Sequence, residues 1–196
     1  MIEIAYLDMD GVIVDFLGGL HRALGVPYDI DCYPYEKGKW NMLLDIKPPG
    51  IDGVPITFEQ CNALCTVNFW ANLEWTSEGT TIFEMVCEKF GSENVYLLTT
   101  CMPNPGTTPG KMRWLERYLP GPLGRAIIVG PGVSKGLLAK PNAVLIDDRD
   151  KNIAEFTAAG GYGILVNRPW NAGHERADHT VSDLELDLLD LPGGSL

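Results

Sequence analysis

Short apolar runs that stop on polar or glycine-rich clusters recur along this chain, with helix-spaced stretches between them. Ile2 to Leu7 ends in Asp8-Met9-Asp10-Gly11, Val95 to Thr99 in Thr99-Thr100, Ala126 to Val129 in Gly130-Pro131-Gly132, and Ala143 to Ile146 in Asp147-Asp148; a fifth run is Tyr162 to Val166. Such runs read as buried strands. Between them, Phe83, Val86, Cys87 and Phe90, then Met112, Leu115 and Leu119, then Ile153, Phe156 and Thr157 recur at helical spacing. Strands alternating with helices predict a doubly wound, Rossmann-like α/β fold, a parallel sheet with helices on both faces.

About seventy residues separate the first strand from the helix near Thr80, far more than a crossover needs. Val12, Phe16, Leu20, Ala23 and Leu24 give one amphipathic helix there, and Phe58, Cys61, Leu64 and Cys65 another. Lys47-Pro48-Pro49-Gly50 and Asp52-Gly53-Val54-Pro55 form turn clusters between them. Residues 17–77 therefore read as a small, mostly helical cap inserted into a core of residues 1–16 and 78–196. The acidic tail after Arg176, ending in Pro192-Gly193-Gly194, reads as a loosely held edge.

Charge and cysteine content narrow the partners. Lys plus Arg number 15 against 26 Asp plus Glu, a formal net charge of -11, which disfavours a long polyanion such as duplex DNA and leaves small phosphorylated molecules open. Five cysteines without a CxxC pair suggest neither a disulfide framework nor a zinc knuckle. The first ten residues lack a basic, then apolar, leader, and no run reaches transmembrane length. The reading is a cytoplasmic protein without membrane attachment, and a homodimer is compatible with it.

In an open parallel sheet, ligands bind beyond the carboxyl ends of the strands, where the strand order reverses. Asp8 and Asp10 follow the first strand, Thr99 and Thr100 the second, and Asp147 and Asp148 the fourth. If the first and fourth strands are neighbours, four carboxylates converge, and they need a cation to stay ionised together; Mg²⁺ accepts such an all-oxygen set. Taken singly, Asp147-Asp148 reads as a helix cap and Asp8-x-Asp10 as a polar turn. Lys111 and Lys135 each follow a strand-end loop and are the candidate phosphate-binding cations. Gly106 to Met112 is one residue short of a P-loop, with Met112 at the magnesium-binding position, and Gly130-Pro131-Gly132 departs from the dinucleotide fingerprint, so neither an NTPase nor a nicotinamide enzyme is indicated.

Asp8-Met9-Asp10-Gly11-Val12, Thr99 after a strand, a downstream lysine and Leu145-Ile146-Asp147-Asp148 together resemble the haloacid dehalogenase (HAD) superfamily of phosphotransferases. Asp8 to Phe16, Leu98-Thr99-Thr100, Ile146 to Arg149 with Asn152, and Phe69 to Trp75 resemble its 5'(3')-deoxyribonucleotidase group; residues 25–68 match that group poorly. The resemblance implies a HAD-like fold and a Mg²⁺-dependent phosphomonoesterase, with Asp8 as the nucleophile that forms an aspartyl-phosphate and Asp10 as the acid and base. It implies Mg²⁺ held by Asp8, the Asp10 carbonyl and the pair Asp147-Asp148, with Asp148 the better direct ligand. Thr99 and Thr100 would hold phosphoryl oxygens, Lys135, preferred over Lys140, would neutralise Asp8 and phosphate, and Lys111 matches a further phosphate-contacting lysine.

The substrate expected is a nucleoside monophosphate, with its base held by Phe16 and by Trp40, Phe69 or Trp70. Trp40, Phe69 and Trp70 read equally well as cap core, and Phe16 is the stronger candidate. A phosphatase for sugar phosphates or for nucleic-acid 3'-phosphate ends is the nearest alternative, and a catalytically silent binding protein of the same fold is the alternative of another class.

Overall fold

The computed structural model describes residues 1–49 and 53–192. Gly50 and Asp52 of the two turn clusters, and Gly193-Gly194 of the tail, lie outside the described residues. In chain order the elements are β1 (Ile4–Leu7), α1 (Phe16–Leu24), α2 (Phe58–Leu64), α3 (Val67–Ala71), α4 (Gly79–Phe90), β2 (Val95–Thr100), α5 (Thr107–Tyr118), β3 (Ala126–Val129), β4 (Ala143–Asp147), α6 (Asp150–Ala158), β5 (Tyr162–Leu165) and α7 (Thr180–Leu189). The strands form one sheet in the order β3-β2-β1-β4-β5, with every pairing parallel. The five expected strands are present, β3 with the expected bounds and the others shifted at one end by one or two residues.

The two-residue period of the strands sorts their side chains between the faces. Ala5, Leu7, Leu97, Val144 and Ile146 join Ile82 and Val86 of α4 and Leu184 and Leu188 of α7 in one apolar cluster. Tyr6, Leu98 and Leu145 form a second with Phe156 of α6. All five residues of β4 are buried, so Leu145→Ala would cost about 2–5 kcal/mol through lost transfer energy and an unfilled cavity.

Residues 17–77 carry α1 to α3 and a 3-10 turn at Met42–Asp45, whereas residues 26–41 hold no helix or strand. Asp15 caps α1 by accepting from the Gly18 N–H, and Gly25 ends it in the left-handed region. Thr57 and Gln60 close a reciprocal capping box on α2. Leu17, Leu20, Ile46, Ile56, Cys61, Cys65 and Trp70 belong to the same apolar cluster as Leu7, Ile82 and Trp114, so the insert and the sheet share a core. The helix α3 packs tightly on α5, where a Cβ on Gly110 would lie 2.5 Å from the Trp70 Cβ.

Of the stripe expected on α5, Leu115 and Leu119 are buried and Met112 is exposed; Gly110, Lys111 and Trp114 face inward as well. Phe58, placed on the apolar side of α2, is also exposed, while Cys61 and Cys65 are buried. No helix among the described residues is long and apolar enough to cross a membrane.

Candidate active site

Because β1 neighbours β4 while the chain leaves these two strands toward opposite sides, the strand order reverses between them. The Asp8 N–H donates to the Ile146 carbonyl at 2.9 Å, which continues the ladder and sets Asp8 beside Asp147. Beyond Asp8 the chain folds tightly on itself, with the Met9 carbonyl accepting from the N–H groups of Ile13 at 2.9 Å and Val14 at 2.8 Å. Gly11 allows this turn: its φ is 76°, and a Cβ there would lie 2.1 Å from Asp148 Oδ2.

Two buried lysines organise the carboxylates. Lys135, in a 3-10 turn after β3, places Nζ 2.8 Å from Asp8 Oδ1 and 2.6 Å from Asp147 Oδ2. Lys111 reaches from α5 to pair with Asp10 and to donate to Thr99 Oγ1 at 2.7 Å; its Nζ also lies 4.5 Å from the centre of the Trp70 ring. Lys140, by contrast, is exposed. Of the four carboxylates expected at one spot, three gather: Asp8, Asp147 and Asp148 each offer an oxygen within 4.8 Å of the others. Asp10 turns its side chain to Lys111 instead. Thr100 is half-buried, and no hydrogen bond joins its side chain to these groups among the described residues.

Burial dominates the ionisation of these groups. It pushes Asp148 well above the usual carboxylate range, reinforced by the charges of Asp147 and Asp8. It raises Asp10 and Asp147 as well, against the opposing pull of Lys111 and Lys135 respectively. For Lys135, burial acts to lower the pKa, but the carboxylates of Asp8 and Asp147 outweigh it and the net shift is upward. Fully ionised, the four carboxylates would carry more negative charge than Lys111 and Lys135 neutralise, and the raised values of Asp10, Asp147 and Asp148 oppose that state.

The hydrogen bonds show where a cation fits. Asp147 Oδ1 accepts from the Arg149 N–H and from Asn152, and Oδ2 from Asn152 and Lys135, which fills a carboxylate's four lone-pair directions. Asp148 Oδ2 accepts from the indole N–H of Trp170 at 2.7 Å, whereas Asp148 Oδ1 is buried without a partner. An unpartnered buried oxygen beside Asp8, in an all-oxygen set, suits a hard divalent ion.

Next to the carboxylates lies a cavity of about 90 Å³, walled by Asp10, Gly11, Phe16, Trp40, Asp148 and Trp170 among others. Phe16 stacks on Trp70 at 5.1 Å and meets Phe69 edge-on at 5.8 Å. Trp70 is buried beneath them, with its indole N–H donating to the Cys65 carbonyl. Across the opening, half-exposed Trp40 lies under the Arg149 guanidinium at 5.0 Å. A larger cavity of about 510 Å³ between α4 and α7, lined by Met1, Ile2 and Phe90, opens at the opposite edge of the sheet, away from the carboxylates.

The segment after β5 was not anticipated from the sequence. Buried Arg168 donates from Nε to the Gly11 carbonyl at 2.7 Å and from Nη2 to the Val12 carbonyl at 3.0 Å, and it pairs with Glu78 at 3.4 Å. Asn171 ties the Asp148 carbonyl to that of Val166. Extending the strand-end rule to the fifth run would have pointed to these residues.

No protein-family model matches the sequence, and no curated protein matches it either. Solved structures do. CbbY from Rhodobacter sphaeroides, crystallised in complex with phosphate, is 17% identical, with a TM-score of 0.53 over 97% of this chain and 100% of its own. A HAD family hydrolase from Deinococcus radiodurans R1, with bound phosphate and sodium, is 15% identical, with a TM-score of 0.54 over 96% of each chain. Similarity along nearly the whole length of both, together with the all-parallel order of the sheet, identifies the fold of this chain as that of the HAD hydrolases.

Proposed function

We propose that the protein is a Mg²⁺-dependent phosphomonoesterase that hydrolyses nucleoside monophosphates, deoxyribonucleotides foremost, through a phosphorylated Asp8. The observation that carries this reading is the position of Asp8: at the reversal of strand order, paired with Lys135 and beside the unpartnered oxygen of Asp148. Asp8, Asp148 and the Asp10 carbonyl are the candidate ligands of the ion, with Asp147 anchoring Lys135 and Asn152. Bound there, Mg²⁺ would supply charge neutralisation for an anionic nucleophile meeting an anionic phosphate.

In the first half-reaction the Asp8 carboxylate attacks phosphorus and the ester P–O bond breaks. The leaving oxygen takes a proton from Asp10, whose raised pKa favours the protonated form needed for this. In the second, Asp10 takes a proton from water as the water oxygen attacks phosphorus, and the acyl-phosphate bond breaks to release phosphate and free Asp8. Lys111, Lys135 and Thr99 donate to the phosphoryl oxygens and stabilise the charge that dominates such a transition state; Thr100 is the outlying candidate.

Phe16, with Phe69 at its edge and Trp70 beneath it, supplies an aromatic platform for a base, and Trp40 faces it from the insert. Residues 17–77 would then act as the cap that selects the substrate. The test is phosphate release, with and without Mg²⁺, from nucleotides, sugar phosphates and 3'-phosphorylated oligonucleotides. The reading expects the highest kcat/KM on nucleoside monophosphates, and none without the metal. A preference for sugar phosphates would keep the chemistry and overturn the substrate, and no release from any of them would leave the silent binding protein.

A further inference from the structure

We propose that Trp170 is a positioning residue that sets the metal affinity of the site by holding Asp148 in one orientation; this rests on the proposed metal site. Asp148 Oδ2 accepts the indole N–H at 2.7 Å, and this leaves Oδ1, buried and unpartnered, as the free oxygen. Trp170 is itself buried, and the Asp148 main chain is fixed independently by Asn171. With the backbone anchored, the indole bond decides which carboxylate oxygen turns toward Asp8.

The geometry around the ring argues that this orientation matters. Gly11 packs between the two side chains: a Cβ there would meet Asp148 Oδ2 at 2.1 Å and a Trp170 ring carbon at 3.2 Å. The indole therefore spans the β4 carboxylate and the loop that carries Asp10. Tyr33, from the insert, has its ring 6.1 Å from that of Trp170, and the Trp170 ring borders the 90 Å³ cavity beside Asp10 and Phe16. One side chain thus joins a carboxylate of the metal cluster, the Asp10 loop and the insert. Hydrogen bonds behind a ligand orient it and raise its affinity, and their loss typically weakens metal binding by about ten- to hundredfold.

Trp170→Phe removes the N–H and keeps most of the ring. The readout is calorimetric titration of the whole protein with Mg²⁺ alone, without substrate, beside a thermal midpoint for each variant. Trp114→Phe serves as the control: it removes another buried indole N–H, one that donates to the Leu73 carbonyl away from the carboxylates. Trp170→Phe should raise the Mg²⁺ dissociation constant by about ten- to hundredfold, with Trp114→Phe unchanged from wild type. Equal affinities in Trp170→Phe and wild type would overturn the proposal while leaving the metal site in place. Equal weakening in both variants would also overturn it, because it would trace the effect to general loss of packing. A wild-type protein that binds no Mg²⁺ would overturn the metal site as well.

Discussion

The carboxyl edge of the sheet and the stretch of the insert from residue 25 to residue 57 are built on opposite plans. At the sheet edge, Lys111, Lys135 and Arg168 are buried, and each holds two or more partners drawn from distant parts of the chain. Removing any one leaves a buried charge or dipole uncompensated, so the arrangement is over-determined. Along the insert, the pair Lys39–Glu36 is exposed, Val54 and Trp40 reach solvent, and the described residues form only a 3-10 turn. The Tyr28 and Tyr33 hydroxyls are buried without partners. In the proposed reading the chemistry sits where the fold is most constrained, and Trp40, one of the proposed substrate contacts, sits where it is least constrained.

Substitutions at the sheet edge should be the most severe. Asp8→Asn should lower turnover by at least about 10⁴-fold on every substrate, as loss of a nucleophile does elsewhere, while circular dichroism shows a folded protein. Asp10→Asn should cost about 10²- to 10⁴-fold, the usual range for proton transfer. A leaving group that needs no proton should recover much of the first half-reaction; if the loss is the same for good and poor leaving groups, Asp10 is not the acid.

The charge imbalance of the edge predicts a pH signature. Asp148, Asp147 and Asp10 have folded pKa values above their unfolded ones, so their contribution to stability is fully present below the unfolded carboxylate range and is lost as pH rises through the raised values. In chelator, the thermal midpoint should fall as pH rises through that window. Mg²⁺ should restore more of it at about pH 8 than at about pH 5, because the ion binds the ionised form. Asp148→Asn should flatten both trends, and a Mg²⁺ effect independent of pH would separate the ion from these carboxylates.

Effects at the aromatic residues around the cavity should be smaller and should depend on substrate. Phe16→Ala should reduce kcat/KM on nucleotides by about ten- to hundredfold, the value of one base–aromatic stack, and scarcely affect a small aryl phosphate. Equal losses on both would make Phe16 a support of Trp70 rather than a platform. Trp40→Ala should have the mildest effect, because its cation–π contact with Arg149 is half-exposed and worth about 0.5–1 kcal/mol. A loss at Trp40 exceeding that at Phe16 would move the specificity surface across the opening.

The same contrast governs what was legible in the sequence. Apolar runs ending in Asp8, Thr99 and Asp147 mark the sheet and the edge that carries the candidate site, because a buried parallel strand must be apolar and must stop where the chain turns polar. Lys135 was separable from Lys140 by its place after a strand-end loop. Lys111 stands out as a loop-adjacent cation, whereas its burial on α5 beside Trp114 does not, because periodicity counts only apolar residues toward a buried face. Arg168, Trp170 and Asn171 escaped because their partners are backbone carbonyls and a distant carboxylate, contacts that leave no mark in local spacing. Residues 26–41 carry aromatic and turn residues without a period, so their path over the site follows from tertiary contacts alone.

The most direct test of the account is to mix the Asp10→Asn variant with Mg²⁺ and an aryl phosphate whose leaving group needs no proton, quench in acid, and map the protein by peptide mass. Without the base that activates water, the second half-reaction is slowed, and the account predicts a single added phosphoryl group on the peptide that contains Asp8, absent from Asp8→Asn,Asp10→Asn. A phosphoryl group on any other residue, or wild-type turnover retained by Asp8→Asn, would contradict it.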